Sequence, residues 1–195
     1  NAAGVIVAAI GSDSSARFDL ASSQNVTTTG DVKMHVVAPG AIAASIGSDS
    51  SASTLLGSAI DASANKIDVT VTQILPAIAA AIGVNSEAHN AVAVLQPQVR
   101  VGGLWEADIT YGQLTAFSLG ADTTAINEIG VISANVSGDI KQNINVGAML
   151  AGTLGLNTEA TNKIGNVEAP VTGSVETNID IFSIRIDTCY YRCSY

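Results

Sequence analysis

The side chains whose type and spacing most invite a chemical reading are the Asx residues of five Gly-x-Asx segments. These are Gly11-Ser12-Asp13, Gly47-Ser48-Asp49, Gly83-Val84-Asn85, Gly120-Ala121-Asp122 and Gly155-Leu156-Asn157. Their glycines fall 36, 36, 37 and 35 residues apart. If the units stack, Asp13, Asp49, Asn85, Asp122 and Asn157 line up as a ladder of oxygens that Ca²⁺ could share. Two of the five are neutral Asn, however, and the glycine-doubled calcium repeat is missing. Hydrogen bonds that the Asx side-chain oxygens accept from backbone N–H groups just ahead account for the same residues at lower cost. The sequence therefore predicts repeat turns here and no metal site.

The remaining candidates for chemistry are thin. His35 takes an outward place in an alternating segment. His89 lies in the third unit's turn, where the other copies carry Arg17, Ser53, Ile126 and Thr161. Neither histidine has a recurrent Ser, Asp or Cys partner. Ser63-Ala64-Asn65-Lys66 matches S-x-x-K, but the S-D-N and K-T-G segments that complete that set are missing. No G-x-S-x-G, P-loop or H-E-x-x-H occurs. Thr27-Thr28-Thr29 is a single run that does not recur in register, so it argues against a threonine-lined ice-binding face. The expectation is a non-enzyme with no catalytic residues and no cofactor.

Cys189 and Cys193 are the two cysteines. In an extended strand four residues span about 13 Å, beyond the ~7 Å Cα limit for a bridge. They would then pair only with other chains or stay reduced, whereas in a turn they could bridge each other. A disulfide, within or between chains, is favoured over a metal site because no further ligand lies nearby.

The elements that carry these residues follow from the repeat. The residue before each glycine is Ile or Leu, which predicts a side chain pointing into a core. Ala16, Ala52, Ala88, Ala125 and Ala160 recur after the Asx-Ser/Thr pair, where a small residue suits a tight wall. Four residues further come Leu20, Leu56, Val92, Ile129 and Ile164, each followed by Ala or Gly. That stretch reads either as a two-turn helix with an Asx cap and glycine stop or as a β-solenoid corner. The rest of each unit alternates as strands do, as at Val32, Met34, Val36 and at Ile67, Val69, Val71. The apolar stretch before each glycine reads as a strand buried on both faces.

The fold class expected is all-β. A tandem-repeat parallel β-solenoid with two short coils per 36 residues comes first, and a β-sandwich is the alternative. Short helical turns at the Gly-x-Asx segments are compatible with either. Residues 1–195 form one repeat domain with units at about 5–40, 41–76, 77–113, 114–148 and 149–186, and a Cys/Tyr tail at 187–195.

Composition narrows the function. Apolar residues make up 47% of the chain and charged residues 13%, about half the usual ~25%. A surface so poor in charge is expected to be hidden against something. The longest apolar run, near Leu75 to Val84, is interrupted by Pro76 and Gly83 and is too short to span a bilayer, so no transmembrane segment is expected. A net charge of −9 disfavours nucleic acid. The first residue, Asn1, fits a processed, exported protein. Two sequons, at Asn25 and Asn135, matter only in a host that glycosylates.

These turn-rich Ala/Val/Ile/Asn/Thr repeats resemble those of bacterial exported surface and fibre proteins. The resemblance covers the units as a style of sequence and transfers no site residue. Together these features predict a structural subunit of an extracellular filament or matrix at the cell surface, whose partner is itself. Assembly is expected through Val5, Ile6, Val7 and Ile10 at one end and Phe182 and Ile184 at the other. The alternative is a surface adhesin or attachment-fibre module that binds glycans.

Overall fold

In a computed structural model, residues 5–189 apart from 23, 39, 60 and 74 are described. They form a parallel β-solenoid of about five turns. Its strands fall at four positions around each coil. The first position holds β1 (Val5–Ile10), β5 (Ala41–Ser48) and β8 (Ala77–Val84). The second holds β2 (Ser15–Leu20), β6 (Ser51–Leu56) and β9 (Glu87–Val92). The third begins with β3 (Val26–Thr27) and the fourth with β4 (Asp31–Ala38), and β7 (Ala62–Gln73) runs through both. In the later coils the corners tighten and strands merge. β10 (Arg100–Ile129) and β12 (Asp139–Ile164) pass through several positions, with β11 (Asn135–Val136) between them, and β13 (Val175–Cys189) starts the last turn.

All pairing is between the same position of successive coils: Ile6 lies beside Ile42, Ile42 beside Ile78, and Ile78 beside Thr115. One 36-residue unit is thus one coil. The expectation of two short coils per unit is corrected, because each unit contains two left-handed corners that look alike in sequence. Asp13, Asp49, Asn85, Asp122 and Asn157 occupy the first, with φ between 50° and 55°. Ala21, Gly57, Ala93, Gly130 and Gly165 occupy the second, with φ between 51° and 61°. The Gly-x-Asx segments are corners between two strands and contain no helical turn.

The core divides into two parts. A broad part lies between the second corner and the third and fourth positions, and is filled by Leu56, Ile67, Trp105, Ile109, Ile132 and Ile140, among others. A narrow part lies between the first and second positions, where the two walls stand close and its apolar residues are alanines, as at Ala43, Ala52, Ala79 and Ala88. The recurrent alanine after the Asx corner is therefore a tight-wall residue, as its size suggests; Ala52, Ala88 and Ala125 are at most 1% exposed.

The first-position strands differ from expectation in two ways. Only one of their faces is buried, the one carrying Ala41, Ala43 and Ser45. And the Ile or Leu before each glycine points outward: Ile10 is 81% exposed, Ile46 44% and Leu154 43%. The sequence pattern hides this because Ala and Ile alternate, and both read as apolar.

Candidate functional site

The Gly-x-Asx ladder is a spatial ladder. Asn85 Nδ2 donates to Asp49 Oδ1 at 2.8 Å, and Asn157 Nδ2 donates to Asp122 Oδ1 at 2.8 Å. These bonds run from coil to coil along the surface and do not reach the backbone N–H groups just ahead, as the sequence had suggested. Each of these Asn amides donates to the carboxylate one coil earlier, so Asp49 and Asp122 find a partner within the ladder. The residue after each Asx turns inward. Ser14 Oγ is 2.8 Å from Ser45 Oγ, and Ser86 Oγ is 2.8 Å from Ser118 Oγ, with all four residues buried.

A second ladder, which the sequence reading missed, runs inside the narrow part of the core. Thr54 Oγ1 donates to Asn90 Oδ1. Asn90 Nδ2 donates to Asn127 Oδ1 at 2.8 Å, and Asn127 Nδ2 donates to Asn162 Oδ1 at 2.8 Å. The same amide nitrogens also reach the backbone carbonyls of Thr115 and Leu150 across the wall. The signal was available in the spacing, since Phe18, Thr54, Asn90, Asn127 and Asn162 all stand two residues after the recurrent alanine. That position is polar in every unit but the first.

A polar groove of about 390 Å³ lies outside the second-position strands, lined by Arg17, Ser53, Glu87, His89, Gln96 and Glu128 among others. His89 is on strand β9, not in a turn. His89 Nε2 is 3.2 Å from Glu128 Oε2, and Lys163 Nζ is 3.4 Å from Glu128 Oε1. The hydrogen bond from His89 and the charge of Lys163 hold the Glu128 carboxyl below its ordinary range. Lys163 also reaches Glu168 at 3.2 Å. Among the described residues, no group of three or more His, Cys, Asp and Glu side chains is placed to hold a metal ion. His35 faces outward from β4, where its row continues as Thr70, Asp108, Asn143 and Asn178.

The expected assembly residues divide between faces. Val5 and Val7 lie on the inner face of β1 and are half-buried; Ile6 and Ile10 lie on its outer face and are 72% and 81% exposed. At the other end Phe182 is 78% exposed at a corner. Ile184, 52% exposed, continues the inward column of Met149. Cys189 ends β13, paired in register with Leu154, and Cys193 lies outside the described residues.

Among the described residues, no helix is long and apolar enough to cross a membrane. No known family, curated protein or solved structure matches the chain.

Proposed function

We propose that this chain is a structural subunit of an extracellular filament or matrix that grows by stacking coil upon coil. The observation that carries the reading is that the core columns come to the surface at the C-terminal end, and that the first coil stands at their other end in the same order. In the last coil Val175, Ile179 and Ile184 are 49%, 45% and 52% exposed. One coil earlier in the same columns, Ile140, Ile144 and Met149 are at most 2% exposed. In the first coil the matching positions, Val32, Val36 and Val5, stand at the other end of those columns. A second copy placed with Val5 over Ile184 and Val32 over Val175 continues each column at the ordinary strand spacing of about 4.8 Å and covers it. Its backbone would also pair with the free edge of β13. Such a contact is head-to-tail and joins unlike surfaces, so it extends along the axis when the rotation does not close a ring.

Export and a cell-surface location are part of the same reading, supported by the low charge and the style of the repeats. Electron microscopy and fibre diffraction of the purified chain test it. Long uniform fibres with a reflection near 4.8 Å along the fibre axis are expected, and Ile179→Lys, which charges the open end, shortens or abolishes them. Monodisperse single chains at high concentration overturn the reading. The polar groove beside His89 and Glu128 favours the second reading, a glycan-binding attachment module. A glycan array with the wild type and Glu128→Gln separates the two.

A further inference from the structure

We infer that the outer face of the first-position strands is where a second copy of this chain packs, sheet against sheet, so that the filament is a pair of solenoids side by side. The inference rests on the stacking just proposed for its length.

The face is built as two ridges and a groove. One ridge is the row Ile6, Ile42, Ile78, Thr115 and Leu150, and the other is Ile10, Ile46, Ile82, Leu119 and Leu154. Between them run Ala8, Ala44, Ala80, Phe117 and Gly152. The middle row is small in four of its five places. Phe117, 38% exposed, is the one knob, and it stands beside Gly152. A ridge of one copy fits the groove of another, which is the self-complementarity that a two-fold contact requires.

Charge is distributed to match. The outer second position carries Arg17, Glu87 and Glu128, and the outer fourth carries Lys33, Asp68 and Glu106. The outward positions of the first column from Ile6 to Leu154 carry no charged residue, and one coil further the same rows reach Arg185 and Asp187 in β13. Over those five coils a partner recognised by charge has nothing to meet, whereas an identical uncharged face does. At ~4.8 Å per coil and ~3.3 Å per residue, five coils by six residues give a face of ~480 Å². That is below the ~800 Å² per partner of a typical stable complex. One pair of subunits is held weakly, and repetition along a filament multiplies the contact.

The test is mass per length of unstained filaments, with Ala80→Glu as the variant because that side chain lies on the outer face, half-buried, and away from the core. Two subunits per axial repeat are expected for the wild type and one for Ala80→Glu. Wild-type filaments with one subunit per repeat overturn the pairing and leave the stacking intact. If no filaments form, the stacking has failed and sedimentation equilibrium decides the pairing alone. A wild-type dimer weakened at least tenfold by Ala80→Glu supports it, and monomers in both overturn it. A monomer that floats with phosphatidylcholine vesicles, and ceases to with Ala80→Glu, assigns the face to a lipid surface and also overturns it. Should Ala80→Glu lose its far-ultraviolet β signal, Ile46→Ser on the neighbouring ridge is read in the same way.

Discussion

A Cβ built on Gly83 would lie 1.4 Å from the carbonyl oxygen of Gly47 in the preceding coil. The same overlap recurs at every step of the column: Gly47 over Gly11, Gly120 over Gly83 and Gly155 over Gly120, at 1.4 to 1.5 Å. These glycines also hold φ between 145° and 158°, which side chains rarely adopt. The recurrent glycine is therefore fixed by the approach of one coil to the next.

Gly83→Ala is expected to cost more than ~3 kcal/mol, because the obstructing atom is backbone and cannot turn away. Gly102→Ala is the comparison: its added Cβ meets nothing nearer than 3.8 Å, so the change stays within ~0.5 kcal/mol. Urea unfolding followed by the fluorescence of Trp105, the sole tryptophan and fully buried, measures both.

A buried asparagine and a surface one make a matched experiment. Asn127→Ala removes a buried amide that bonds Asn90, Asn162 and the Leu150 carbonyl, and should cost ~2–3 kcal/mol because partners are left unsatisfied inside. Asn143→Ala removes a bond of the same 2.8 Å length to Asp108 on the surface, where water replaces it. The cost there should be ~0.5 kcal/mol or less. Equal losses would show that the inner ladder is not sealed from solvent.

Tyr111 is 2% exposed and its hydroxyl has no hydrogen-bond partner. Burial accordingly pushes its pKa well above the ordinary value. Tyr111→Phe removes a desolvated group that gains nothing in return, and should stabilise the fold by ~1 kcal/mol. A lower urea midpoint would mean that the hydroxyl is bonded.

Glu128 has a depressed carboxyl pKa, so it contributes stability above its unfolded value of ~4.3, and that contribution is lost as pH falls through the lower folded value. Wild-type stability should fall along an acid arm in that window as Glu128 releases His89 and Lys163. Glu128→Gln flattens the arm. Urea midpoints measured from neutral pH down through the carboxylate range show whether the two curves converge at the acid end.

Much of this architecture was legible in the sequence. The period, the β-class, the Asx corner and the tight alanine wall all follow from recurrence plus side-chain size. The number of coils per unit was not legible, because Asp49 and Gly57 both mark left-handed corners eight residues apart and suggest a shorter circuit. The outward aim of Ile46 was hidden by an inward neighbour, Ser45, whose polarity suggests the opposite. The inward place of Asn90 and Asn127 is not legible from either residue alone. Only a partner one coil away makes an amide suitable for the interior, and that partner is some 36 residues distant along the chain. The open core columns at Val175 and Ile179 depend on which coil is last in space, a property no local pattern carries.

The variable spacing of the repeat has a consequence for how such a chain changes length. Relative to the coil before it, the third unit gains one residue between Leu95 and Arg100 and another between Val101 and Leu104, and gives one back at the corner between Tyr111 and Leu114, while the strand positions between these points stay aligned with their neighbours. Heredity can therefore add or delete whole circuits, each contributing ~4.8 Å of height, without devising a new surface. A single residue gained inside β8 would instead misalign its side chains with those of the coils above and below, unless the next corner absorbed it.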